Sequence, residues 1–387
     1  MSPLAGFSLQ LDEKRTLFQN AARFDGNPFP IAEFAVREVP DFINGAGNFR
    51  PVGRFADYWQ KTIVFETAEA SQVSPVTIHG VFRLAMAGVL AVVLTGLVAA
   101  LLRSAGLRDH PLQRWTPLVV ATGLGAASFL SPLSAYPFIF IGSTALCFAV
   151  PWFVVRDRDV EIRRASVPEL VAVAVVGMIC AATYDLVYIA IPMAAVFFAA
   201  RCYVAGADWP TARRFAAVPR LLALASGFFV VFVPSRIVIE SRCADGGCYV
   251  ASDISISGDA LREFPTRVLS GFPLAAWDEG GDAVALVPYG PRTMVANIAL
   301  LLVLVVLVAL TARVVARSTG GGGDDLVPPL RLAVALGAVG VTAIGFGAAL
   351  ASLSAEIQSG AFGVGAPWRE TLLVACGWTL VAMAVLV

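Results

Sequence analysis

From Pro168 to Val204 the chain runs with almost no polar break. As one helix, at about 1.5 Å per residue, this run would be about 55 Å long. A bilayer core needs only about 20 apolar residues per crossing. The stretch is therefore too long for one span and too apolar for a soluble surface. Of 387 residues, 58% are hydrophobic and 14% charged, whereas soluble domains average roughly 45–50% and about 25%. Lipid must be the solvent.

The arginines fold the run in two. Arg163 and Arg164 precede it, Arg201 stands in its last turn, and Arg213 and Arg214 follow. Positive charge at both ends puts both ends in the cytoplasm, so the turn falls near Thr183-Tyr184-Asp185. By the same logic Trp115 to Val154 is a hairpin turning at Ser131-Pro132. The spans are 81–102, 116–131, 137–154, 168–184, 186–204, 220–238, 294–312, 331–352 and 370–387. This predicts an all-α polytopic membrane protein with about nine transmembrane helices. Residues 1–80 and 239–293 form extracytoplasmic segments, around a six-helix region (81–238) and a three-helix region (294–387).

Orientation rests on one asymmetry. Arg103, Arg108 and Arg114, then Arg156 and Arg158, then Arg220, then Arg313, Arg317 and Arg331 all fall in the same set of loops. The alternating turns near 132–136 and 184–186 carry none, which is the positive-inside pattern of a plasma-membrane protein. The Gly-rich stretch 320–323 lacks the Gly-Lys-Ser/Thr ending of a phosphate loop and reads as a linker. Zero formal net charge gives no reason to expect a nucleic-acid partner.

Cys243 and Cys248 bracket Asp-Gly-Gly on the outer face, where disulfides persist, and are expected to close a small ring. Cys147, Cys180, Cys202 and Cys376 lie in apolar runs as small hydrophobes. His79 and His110 stand far from any cysteine, so no metal-binding spacing exists. Because span 81–102 runs inward, a crossing before Met1 is expected, and the chain is expected to continue past Val387.

The first eighty residues are rich in phenylalanine. Pro30 to Ile43 reads as an amphipathic helix with Ile31, Phe34 and Ala35 on one side. Arg54 to Ala70 reads as a second, with Phe55, Tyr58, Trp59 and Ile63 on one face. Such helices lie in the membrane interface or pack on other outer loops.

Three constellations suggest chemistry. Asp12 and Glu13 in LQLDEKR are suited to general-base work, or form a solvated pair capping a helix over 13–22. Arg50, Arg54 and Asp57 in GNFRPVGRFADYW place guanidinium forks, suited to phosphate, among aromatics; salt bridges within the segment are the alternative. Asp185 and Arg236 lie at the outer rim of spans, where ionisable groups tend to be functional, with Arg369 a further case.

Taken together, the crossings, the long first outer loop, the acidic pair in LQLDEK and the basic FRPVGR run resemble the GT-C superfamily of integral-membrane glycosyltransferases. That resemblance implies a polyprenyl-phosphate sugar donor and an envelope glycan, lipid or protein acceptor. It implies Asp12 as catalytic base with Glu13 beside it, and an arginine set or a divalent cation (Mg or Mn) on the phosphate. An arginine-rich, lysine-poor chain would fit a high-GC actinobacterial source. A transporter or lipid flippase, and a non-catalytic membrane subunit, are the competing expectations.

Overall fold

The computed structural model describes residues 19, 23–24, 27–107, 112, 115–117, 119, 137–155, 165–207, 216–243, 248, 254–272, 327–359 and 368–387. Among them the chain is helical and has no strand, only an isolated bridge between Ile254 and Ser354. Asp12, Glu13, span 294–312 and most of 116–131 lie outside the described residues.

Among the described residues, four helices are long and apolar enough to cross a membrane: Pro75–Ser104, Asp185–Val204, Ala217–Cys243 and Pro329–Ser352. Phe138–Val154, Val167–Thr183 and Thr371–Leu386 are shorter apolar helices. In chain order we label Pro28–Arg37 α1, Pro51–Ser71 α2, Pro75–Ser104 α3, Ser143–Val154 α4, Val167–Thr183 α5, Ala190–Val204 α6, Ala217–Cys243 α7, Gly258–Ser270 α8, Val327–Ser352 α9 and Thr371–Leu386 α10.

The core lies where α4 and α6 meet α3, α9 and α10. Phe148, Met193, Phe197, Leu97, Val339 and Leu380 are all fully buried there. Elsewhere the spans present Val171, Val175, Leu222, Val230, Val233 and Ile237 outward, as helices surrounded by lipid should.

Small residues set the closest crossings, as expected where lipid removes the hydrophobic drive between helices. A Cβ on Gly227 of α7 would lie 1.9 Å from the Ala174 carbonyl of α5, and one on Gly177 2.2 Å from that of Leu224. Gly340 and Gly377 make the equivalent contact between α9 and α10, each 2.7 Å from the other's carbonyl.

The long apolar run breaks at Tyr184. Helix α5 stops at Thr183, Tyr184 is extended, and a 3-10 turn from Asp185 to Ile189 leads into α6. Helix α2 sits directly on this break, since a Cβ on Gly53 would lie 2.0 Å from the Thr183 carbonyl.

Two amino-terminal helices differ from their expected form. Helix α1 buries Ile31, Phe34 and Ala35 but ends at Arg37 rather than Ile43. Pro40 has no amide proton with which to continue the helical ladder. The chain passes instead through Val39–Asp41 and a wide turn, Phe42–Ala46, closed by Gly47 at φ 59°. Helix α2 begins at Pro51 and divides its aromatic face. Tyr58 packs with Phe24 and Phe34, while Phe55 and Trp59 stack on each other and Trp59 is exposed. The deeply buried side of α2 instead carries Asp57, Gln60, Lys61 and Thr62. Both edges of α2 are therefore mixed: Tyr58 and Val64 are buried beside these polar groups, while Trp59 is exposed along with Glu66, Thr67 and Glu69.

Candidate functional site at one end of the bundle

The C-terminal ends of α5, α7 and α9, the turn leading into α6 and the segment preceding α10 meet around one cavity of about 210 Å³. Its walls include Tyr184, Asp185, Tyr188, Arg236, Trp368, Arg369 and Glu370, with Gly47, Asn48 and Phe49 from the amino-terminal segment. Local contacts hold this end together. The Ser255 amide donates to the Leu353 carbonyl at 2.9 Å, and Gln358 Nε2 donates to the carbonyls of Ser255 (2.7 Å) and Ser352 (2.8 Å). Cys243 and Cys248 are disulfide-bonded, and Cys248 Sγ lies 3.8 Å from the carbonyl oxygens of Ile43 and Asn44. The disulfide and the Ile43–Asn44 stretch therefore share the cavity's end of the bundle.

Arginine dominates the electrostatics. Arg369 Nη1 is 4.0 Å from Asp185 Oδ2, and its guanidinium lies over Trp368 and Tyr184, 4.6 and 5.7 Å from the ring centroids. Arg236 reaches Glu240 one helical turn on, at 2.5 Å. Arg50 does not itself line the cavity but stands over Tyr184, which does, at 5.3 Å. Arg54 lies 3.8 Å over Phe42. Resting on ring faces is favourable for a guanidinium and leaves its in-plane donors for other partners. The Nε atoms of Arg50 and Arg54 have no hydrogen-bond partner among the described residues. Burial holds the Arg50 guanidinium below its ordinary pKa; Arg54 and Arg369 push the same way, while Tyr184 and Asp185 oppose them.

The structure thus brings together Asp185, Arg236 and Arg369, with Arg50 one ring behind them. Asp57 is placed elsewhere. It forms a buried ion pair with Lys61 at 2.7 Å, on the polar face of α2, and does not line the cavity. Tyr58 donates to Glu38 Oε2 at 2.7 Å, and burial and this bond raise its pKa.

Two groups escaped sequence reasoning. Tyr188 and Glu370 line the cavity although they are about 180 residues apart in the chain (a separation that motifs of roughly ten residues never span). Lys61, His79 and Arg83 are buried near the start of α3 together with Asp57, which the sequence suggests only beside Arg50 and Arg54. Their signal was present in the spacing, since each helix carries its pair four residues apart, on one face.

A divalent cation does not fit the described residues. No group of three or more His, Cys, Asp or Glu is assembled there to hold one. The cavity's two acids each face an arginine, Asp185 with Arg369 and Glu370 with Arg267. Searches of protein-family models, of curated proteins and of solved structures found no match to this chain. Its chemistry must be argued from the site.

Proposed function

We propose that the protein is a plasma-membrane glycosyltransferase that moves a sugar from a polyprenyl-phosphate donor to an envelope acceptor. One observation carries this reading: Arg236, Arg369 and Asp185 converge with Tyr184, Tyr188 and Trp368 in a single cavity at one end of an apolar bundle. Guanidiniums complement a phosphate with planar donor pairs, and the aromatic walls suit the first isoprene units and the sugar ring. The bundle would make nine crossings, with residues 1–80 and 239–293 extracytoplasmic and the cavity opening to the same side.

In this reading Arg236 and Arg369 neutralise the phosphate as the glycosidic bond to it breaks, which makes it a better leaving group. Arg50 adds positive field from behind Tyr184. Asp12, with Glu13 beside it, takes the proton from the acceptor hydroxyl as its oxygen attacks the anomeric carbon. A single displacement inverts that centre.

The test is transfer from radiolabelled polyprenyl-phosphate sugar by membranes carrying the protein. The Arg236→Ala, Arg369→Ala double variant should lose about a hundredfold or more of transfer, since each charge-assisted bond contributes about 1.5–3 kcal/mol. Asp12→Ala should abolish it. Transfer unchanged in both variants would remove the reading. Orientation is checked separately: a cell-impermeant reagent should label a cysteine placed at position 44 in intact cells.

A carrier or flippase is the second reading, favoured by the buried ionisable set Asp57, Lys61, His79 and Arg83. Loss of proteoliposome uptake in Asp57→Asn, with transfer absent in the unmodified protein, would establish it instead.

A further inference from the structure

We propose that Glu370 is the residue of this cavity that recognises hydroxyl groups, so that the ligand carries hydroxyls beside its phosphate, as a sugar ester of a lipid phosphate does. This rests on the phosphate reading above and adds to it the chemistry of the head group.

Glu370 follows Trp368 and Arg369 directly and lines the same cavity, yet it is 1% exposed. Its Oε1 is engaged by Arg267 Nη1 at 3.5 Å and by the Ser270 hydroxyl at 3.4 Å. Its Oε2 has no hydrogen-bond partner among the described residues. A buried carboxylate oxygen left without a donor is costly, and each such group in a native protein calls for an explanation.

The carboxylate is also held in place. Arg267 is itself 1% exposed and reaches Glu263 on the same helix. Helix α8 is fixed to α10 by the Trp378 Nε1 bond to the Val268 carbonyl at 2.9 Å and by the edge-on packing of Phe272 against Trp378. A Cβ on Gly271, just past α8, would come 2.5 Å from the Thr371 carbonyl, so the two backbones touch beside Glu370. A fixed acceptor is more selective than a mobile one, because no ordering cost is incurred on binding.

The chemistry chooses the ligand group. An ionised carboxylate only accepts hydrogen bonds and repels phosphate, so Oε2 suits a donor such as a sugar hydroxyl. The phosphate then lies toward Arg236 and Arg369, and the hydroxyl-bearing head lies toward Glu370. A metal ion is a poorer match for Oε2, because Arg267 already holds the other oxygen and Arg369 is the preceding residue.

The experiment measures binding of two probes, farnesyl phosphate and its glucosyl ester, to the full chain in lipid nanodiscs. The unmodified protein should bind the glucosyl ester about tenfold more tightly, the worth of one charge-assisted hydrogen bond. Glu370→Gln, close in shape, should shrink that preference to about threefold, and Glu370→Ala should erase it, with farnesyl phosphate affinity in both variants equal or higher. Arg236→Ala should weaken both probes about equally. Equal affinities in the unmodified protein, which needs no variant to fold, would overturn the proposal and leave the phosphate reading intact. So would a preference that survives in Glu370→Ala. If neither probe binds the unmodified protein, the phosphate reading itself fails.

Discussion

Arginines mark both ends of this bundle and are used in opposite ways. At the end away from the cavity they finish helices. Arg201 donates to the Val155 carbonyl just past α4 and, at 2.9 Å, to the Ser104 hydroxyl at the end of α3. Arg220 pairs with Glu169 at the start of α5 and reaches the Val154 carbonyl at 3.4 Å. The last carbonyls of a helix have no intrahelical donor, and a cation there also complements the helix dipole. At the cavity end Arg50, Arg54 and Arg369 lie on aromatic faces instead, and the Nε atoms of Arg50 and Arg54 meet no acceptor among the described residues. Counting arginines therefore does not find a site. What distinguishes the two ends is what the guanidiniums meet: carbonyl, hydroxyl and carboxylate oxygens of neighbouring helices at one, chiefly the faces of aromatic rings at the other.

This contrast can be broken by substitution. The largest effect on stability is expected at the helix-finishing end. Arg201→Ala removes charge-assisted bonds worth about 1.5–3 kcal/mol each and should cost about 3 kcal/mol or more, read as a fall in melting temperature in detergent. Normal melting would mean these arginines are not structural. Next comes the disulfide at the cavity end. Cys243→Ser should cost about 2 kcal/mol, the loop-closure value for so short a ring, and reduction of the unmodified protein should reproduce it.

Smaller still is the expected stability effect of Arg369→Ala. Its pair with Asp185 is loose, with side chains 20% and 33% exposed, and pairs of this kind contribute about 0–1 kcal/mol. Ligand binding should nevertheless fall about tenfold or more. A large melting change without a binding change would erase the difference between the two ends. The least effect belongs to Trp59→Ala. It should leave melting nearly unchanged and reduce quenching of tryptophan emission by bromolipids, which a ring facing lipid requires.

Among the described residues, the sequence by itself determined the apolar, lipid-suited character of the bundle, the positions of the apolar helices and the break at Tyr184. Each follows from local properties, namely hydrophobic length and the sign of flanking charge. It also singled out the Cys243–Cys248 pair and the buried face of α1, because a five-residue separation and a helical period are written in the chain. It did not determine which edge of α2 turns inward. Beside lipid an aromatic face can pack inward or lie outward, and only Phe24, Phe34 and the α5–α6 turn placed Tyr58 inside and left Trp59 exposed. Nor did it join Arg236, Asp185, Arg369 and Glu370, which stand on different elements far apart in the chain. Whether a guanidinium finishes a helix or lies on an aromatic ring depends on the groups that neighbouring helices bring to it, and only the tertiary structure places those.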